Sequence, residues 1–205
     1  MTDHLKELEN YFAELPGIGP RHAKRLAHYV MERSGSFAID FARALQNARG
    51  STRLCKKCFG LFSMSENSEG ICRICTHHKD SSSLMIVAKT ADIEHIERSG
   101  TYQGLFFALG GTMPLIRRKS APTIRIDDLL RRIDTDVNLK EIIVGFSASA
   151  DGENTALFVE QAIKDKATTK GISVYMLGRG LSTGTEIEYA DSETMKNALL
   201  NKRSI

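Results

Sequence analysis

Every cysteine of the chain lies in one short window, as two C-x-x-C pairs, Cys55/Cys58 and Cys72/Cys75, separated by residues 59–71. Each pair can form a tight knuckle that turns both sulfurs toward one point, and two knuckles supply the tetrahedral thiolate set that Zn²⁺ prefers. The spacer is a little shorter than the usual run of about 15–20 residues. Lys56, Lys57 and Arg73 stand beside the sulfurs and favour thiolate over thiol. Four protein ligands leave no open position for a substrate, so one structural zinc per chain is the expectation. Redox thiols and an iron–sulfur cluster are the alternatives. The segment has few apolar residues to bury, so a bound ion would contribute folding energy. His77 and His78 read as an exposed polar turn rather than as substitute ligands.

The rest of the chain must be organised around that staple. Its 205 residues permit one ample core or two modest ones. With 41% hydrophobic and 26% charged residues the composition is that of a globular protein, and no apolar stretch approaches the roughly 20 residues of a membrane span. The opening MTDHLKELEN lacks a basic start followed by an apolar run, so the expectation is a reducing cytosolic compartment without disulfides. A net charge of +3 permits nucleic-acid binding without demanding it, so any basic surface has to be local.

Periodicity divides the chain. Leu5, Leu8, Tyr11 and Phe12 recur at helical spacing, LPGIGP interrupts, and a second helical stretch runs from about Arg21 to Met31. Residues 36–48 predict a third helix, with Ser36 as its N-cap and Phe37, Phe41, Ala44, Leu45 and Ala48 on one face. From Leu84 onward short apolar runs (LMIVA, GLFFAL, EIIVGF, ISVYML) alternate with amphipathic stretches (ADIEHIERS, IDDLLRRI, ENTALFVEQAIKDKA), which argues for a largely parallel α/β sheet. Residues 177–190 read as a glycine-rich loop, and DSETMKNALL as a last helix capped by Asp191 or Ser192.

Between the first two helices, Gly17 and Gly19 bracket Ile18, and Pro20 suits the first turn of the second helix. This is the pattern of a helix-hairpin-helix, in which glycines let the backbone pass close to a DNA phosphate and a helix N-terminus offers it free N–H groups. Arg21, Lys24 and Arg25 add three cations within about one and a half turns, enough to grip phosphates without reading bases. His22 and His28 read as bystanders. A second tract, Arg117, Arg118, Lys119, Arg125, Arg131 and Arg132 against Asp127 and Asp128, is a second DNA surface or a solvated face, and no aromatic is interleaved with it. Catalytic templates fail: there is no Gly-Lys dipeptide for a P-loop and no H-E-x-x-H. Thr183 breaks the dinucleotide pattern opened by Gly178-Arg179-Gly180, and Leu139 occupies the glycine position of a calcium loop begun at Asp134.

Taken in order, LPGIGPRHAKRLA, the four-cysteine segment, IERSGTYQGLFFALGG, IRIDDLLRRI, DGENTALF and GRGLSTGTEIEYADSETMKNAL resemble the RecR family of bacterial recombination mediators, from about residue 5 to 200. The resemblance implies an α/β architecture in four parts. These are a helix-hairpin-helix unit over residues 1–52, a four-cysteine zinc finger over 53–80, a Toprim-like parallel-sheet domain over 81–176 and a C-terminal oligomerisation segment over 177–205. The implied function is a non-enzymatic DNA clamp in the bacterial cytoplasm, nucleoid-associated, a homo-oligomer built as a tetrameric ring or a dimer. With RecO-like and RecF-like partners it would help load the RecA recombinase onto single strands. The implied DNA contacts are Arg21 and Arg25 with Lys24, Gly17 and Gly19. The implied metal ligands are Cys55, Cys58, Cys72 and Cys75.

The sequence also departs from the family. Toprim enzymes hold Mg²⁺ on clustered carboxylates, because phosphoryl chemistry needs them around a hard cation. Here Ala88 and Lys89 stand where RecR-like chains usually carry two glutamates, and no carboxylate follows the later strand until Asp151 and Glu153. The expectation is therefore no Mg²⁺-dependent cleavage, with Asp92, Asp151 and Glu153 as candidate acidic contacts for a partner. Single-stranded, duplex and gapped DNA all remain as targets. A Toprim-type nuclease or topoisomerase and a protein-interaction module are the competing functions.

Overall fold

The computed structural model describes residues 3–65, 69–77, 80–115, 124–184 and 186–202. It divides into two units, Met1–Thr52 and Arg53–Ile205.

In the first unit, helices α1 (His4–Ala13) and α2 (Pro20–Glu32) form a hairpin, followed by α3 (Gly35–Ser51). Asp3 caps α1 by accepting from the N–H groups of Leu5 and Lys6. Ala23, Ala27 and Val30 make the buried stripe of α2. Small residues on that stripe let two helices approach closely. Ser34, not Ser36, occupies the N-cap position of α3, two residues earlier than the hydroxyl-rich sequence suggested, and the helix ends later, at Ser51. Its apolar residues do not make a core: α3 buries no side chain. Glu9 of α1 is buried, held by Lys6 Nζ at 2.8 Å and with His28 Nε2 of α2 at 4.0 Å. His28 thus faces the helix partner rather than standing aside.

The second unit opens with two short paired strands, β1 (Thr52–Leu54) and β2 (Leu61–Ser63), and the four-residue helix α4 (Arg73–Thr76). A parallel sheet follows, β3 (Ser83–Val87), β4 (Leu105–Ala108), β5 (Glu141–Gly145) and β6 (Ser173–Met176), in the order β4-β3-β5-β6. Leu84 is level with Leu105 on one side and with Ile142 on the other, and Ile142 with Val174. Helices α5 (Thr90–Ser99), α6 (Ile126–Thr135) and α7 (Ala150–Lys170) make the crossovers. A 3₁₀ turn (Ile187–Tyr189) and α8 (Ser192–Leu200, capped by Asp191) close the chain.

The strands read as unbroken apolar runs because both faces of the sheet are covered. Leu84, Ile86, Phe107, Ile142 and Val144 pack with Leu129 and Ile133 of α6 and with Val159 and Ile163 of α7. Met85, Val87, Phe106 and Ala108 face the other way, onto Ile93 of α5 and onto the four cysteines with Phe62. The cysteine segment is thus part of one layer of the α/β body. It also covers the sheet's β4 edge, where the Ala108 N–H donates to the Cys58 carbonyl at 2.7 Å.

Candidate metal centre and nucleic-acid interface

Two turns bring the four sulfurs together. In the first, Cys55 and Gly60 close a loop (Cys55 N–H to Gly60 carbonyl, 2.8 Å) whose tip puts Phe59 at φ +57°. In the second, Cys72 precedes α4 and Cys75 lies within it. The sulfurs all lie within 4.8 Å of one another, with Cys58 and Cys72 Sγ 3.6 Å apart. A tetrahedron with metal–sulfur bonds of about 2.3 Å has edges of about 3.8 Å, so the donor set fits. Backbone N–H groups of Lys57 and Cys72 donate to Cys55 Sγ, and that of Gly60 to Cys58 Sγ, at 3.3–3.4 Å. Such bonds favour the thiolate, the form that ligates. The sulfurs also perturb one another: a hydrogen bond from Cys58 holds Cys55 far below the usual thiol range, and the same bond pushes Cys58 far above it. Four buried cysteines are therefore positioned to bind a metal ion. His77 hydrogen-bonds the Arg73 carbonyl instead of joining them, and His78 lies outside the described residues.

The hairpin has the local features its sequence required. Gly17 sits at φ +80°, where a side chain is strained, and Ile18 N–H closes the turn on the Leu15 carbonyl. Gly19 is the N-cap of α2 with no side-chain cap, and Pro20 takes the first position, so the next N–H groups face outward unsatisfied by a side chain. Arg21, Lys24 and Arg25 are exposed and line one concavity of about 770 Å³ with His22, His28 and Tyr29. Among the described residues none of these three cations pairs with a carboxylate.

The second basic tract behaves differently. Arg132, 10% exposed, donates to Asp136 and to the Lys57 carbonyl at 2.7 Å, tying α6 to the cysteine loop. Arg125 lies 5.3 Å over the Phe59 ring, which meets Phe107 edge-on, and Arg131 pairs with Asp128. Arg125 and Arg132 are thus engaged with the cysteine loop, whereas Arg131 stays exposed in a pair within its own helix. Arg117, Arg118 and Lys119 lie outside the described residues. The i,i+4 spacing of Arg132 and Asp136 was a readable signal of that engagement; the Lys57 carbonyl, from another element, was not.

A cleft of about 530 Å³ opens at the carboxyl ends of β3 and β5, where the strand order reverses, the place at which open α/β sheets receive ligands. Ala88, Lys89, Asp92, His95, Ser147 and Asp151 are among its walls. Asp92 accepts from the Lys89 N–H at 2.8 Å and Asp151 from the Leu115 N–H at 3.2 Å. Glu153 is drawn to Arg179 at 2.7 Å, a partner from the glycine-rich loop that sequence reasoning missed.

Three family models match the chain: one described as RecR, helix-hairpin-helix, over residues 5–49, one as Toprim domain over 82–177, and one as RecR, C-terminal, over 180–203. Among curated relatives, Recombination protein RecR of Leuconostoc citreum is 31% identical over 202 residues, covering 98% of this chain and 97% of the relative. The protein of the same name from Lactococcus lactis is 34% identical over 202 residues, covering 98% and 97%. That from Cyanothece sp. is 31% identical over 205 residues, covering 100% and 97%.

Proposed function

The chain belongs to the RecR family of recombination proteins, with a role in recombinational repair, and from that membership we propose that it is a non-catalytic, DNA-binding clamp. In this reading Arg21 and Arg25, with Lys24, Gly17 and Gly19, hold sugar-phosphate backbone. The cysteine finger carries one Zn²⁺ on Cys55, Cys58, Cys72 and Cys75, which supplies rigidity and no chemistry. A bacterial cytoplasmic ring or dimer of such chains, acting with RecO-like and RecF-like partners, helps load a RecA-type recombinase onto single strands. The partner meets the cleft around Asp92 and Asp151, with Glu153 nearby, and Lys89 changes the charge it encounters.

What carries the DNA reading is the contrast between two sets of cations. Arg125 and Arg132 are engaged with the cysteine loop and Arg131 is paired with Asp128, whereas the cations of the hairpin stand exposed without a carboxylate partner beside an uncapped helix start. A cation with no internal partner is free to displace counterions from phosphate. Replacing Arg21 and Arg25 together with alanine should therefore weaken DNA binding and reduce its salt slope by about two. An unchanged affinity and slope would remove the hairpin from the mechanism.

One observation favours a second reading, a Mg²⁺-dependent Toprim nuclease: the cleft at the strand ends does contain Asp92 and Asp151. Against it, Ala88, Lys89, Ser147 and Ser149 supply none of the clustered carboxylates that two-metal phosphoryl chemistry uses. Incubation with supercoiled DNA and Mg²⁺ or Mn²⁺ separates the two, and nicking abolished by Asp151→Asn would establish the enzyme.

A further inference from the structure

We propose that the far end of α2 is a base-stacking site for unpaired nucleotides, continuous with the cation stripe, so that the hairpin prefers single strands through their bases. The inference rests on the reading of Arg21 and Arg25 as phosphate contacts and extends it.

Arg21, Arg25 and Tyr29 are four residues apart, which places them on successive turns of one helix face, and they border the same concavity. The stripe continues into Arg33, the C-cap of α2, about 18 Å from Arg21 at the rise of an α-helix. The Arg33 guanidinium lies 5.5 Å from the centre of the Tyr29 ring and 5.4 Å from that of Phe37. Tyr29 meets Phe37 edge-on at 6.4 Å, and Phe37 lies parallel to Phe41 at 6.3 Å. Three rings and one planar cation thus form a ladder. It is not a core: Tyr29 keeps 53% of its surface in solvent and Phe41 37%.

Charge decides what such a surface takes. Glu32 and Asp40 border the aromatic end, whereas Arg21, Lys24 and Arg25 crowd the other. Arg33 and Arg43, the latter paired with Asp40 at 3.1 Å, offset those two carboxylates, so a nucleic-acid backbone is held at the hairpin and finds no net charge beyond it, and a strand lying along α2 turns its bases to the rings. Bases inside a duplex are already stacked on one another, while those of a single strand have free π faces. Sequence tolerance follows, because every base has such a face.

The test uses the full-length protein with three probes of equal length: an oligo-dT strand, an abasic strand with the same phosphates, and a duplex. Binding is followed by fluorescence anisotropy. The wild type should bind oligo-dT more tightly than the abasic strand. Tyr29→Ala should lose roughly tenfold on oligo-dT, the contribution of about one stacked base, and nothing on the other two, while Tyr29→Phe retains wild-type affinity. The Arg21/Arg25 double variant should lose affinity for all three, and if it loses none, the phosphate-contact reading fails first. Equal wild-type affinity for dT and abasic strands, or an equal loss on all probes for Tyr29→Ala, overturns the stacking site alone. So does a Tyr29→Ala variant that changes only the size of the free protein, since the occupant is then a second copy.

Discussion

Replacing Arg132 with methionine separates a structural cation from a DNA-binding one. Its guanidinium joins Asp136 to the Lys57 carbonyl, and the side chain is 10% exposed. Hydrogen bonds to charged groups contribute about 1.5–3 kcal/mol each. Methionine keeps the apolar stem, so little packing is lost. Both acceptors lie near solvent and regain water when the cation leaves, which lowers the sum to about 2 kcal/mol. For a unit of this size that is roughly 6 °C in Tm. Urea and thermal unfolding followed by far-ultraviolet circular dichroism measure it, and a salt titration of DNA binding is run on the same sample. Stability should fall while the salt slope stays. A loss below about 0.5 kcal/mol, which is ordinary for a surface position, together with a slope reduced by about one, would refute the reasoning and return Arg132 to the DNA surface.

Cys55→Ser should remove the ion, lowering metal from one per chain by elemental analysis, and cost several kcal/mol, because metal-binding energy is folding energy here; retained metal with unchanged unfolding counts against the four-sulfur centre. Gly17→Ala should cost about 1–2 kcal/mol, since φ +80° is left-handed backbone, and the loss is the strain alone because a Cβ there meets nothing within 4 Å. Gly19, at φ −81°, should accept alanine for well under that amount, and equal losses at the two positions would contradict the turn geometry. Burial pushes the Tyr102 phenol up to about 12. Its folded value lies above the unfolded one near 10, so its contribution is full below pH 10 and is lost as the pH climbs toward 12. The difference in urea midpoint between the native protein and Tyr102→Phe should therefore shrink over that window, and a pH-independent difference would exclude it.

Spacing made the cysteine centre legible, because two C-x-x-C knuckles impose their geometry locally. Short apolar runs alternating with amphipathic stretches likewise pointed to a parallel α/β sheet, and Asp191 did cap the last helix. Legibility ended where a partner comes from another element. Arg125 looks like free charge in one dimension and is engaged only when α6 meets the cysteine loop, and Arg132, whose spacing to Asp136 is readable, gains the Lys57 carbonyl in the same way. Glu153 reads as surface acid until Arg179 returns to it from the loop after β6. The amphipathic pattern of α3 signalled a buried face, but periodicity says nothing of what covers it, and within its own unit that face stays open. The order β4-β3-β5-β6, which puts the cleft between β3 and β5, follows from crossover geometry that composition does not encode.

The hydrogen bond from Ala108 to Cys58 has a consequence for how such a chain can be altered. Many small metal modules are portable: cut at their ends, they fold alone and leave their host intact. This one shares a seam with its host, since its knuckle carbonyl finishes an outer strand and its cysteines fill one layer beneath the sheet. Excising residues 53–80 would strip that layer and bare a strand edge, so the deletion should yield an aggregating remnant rather than a shorter working protein.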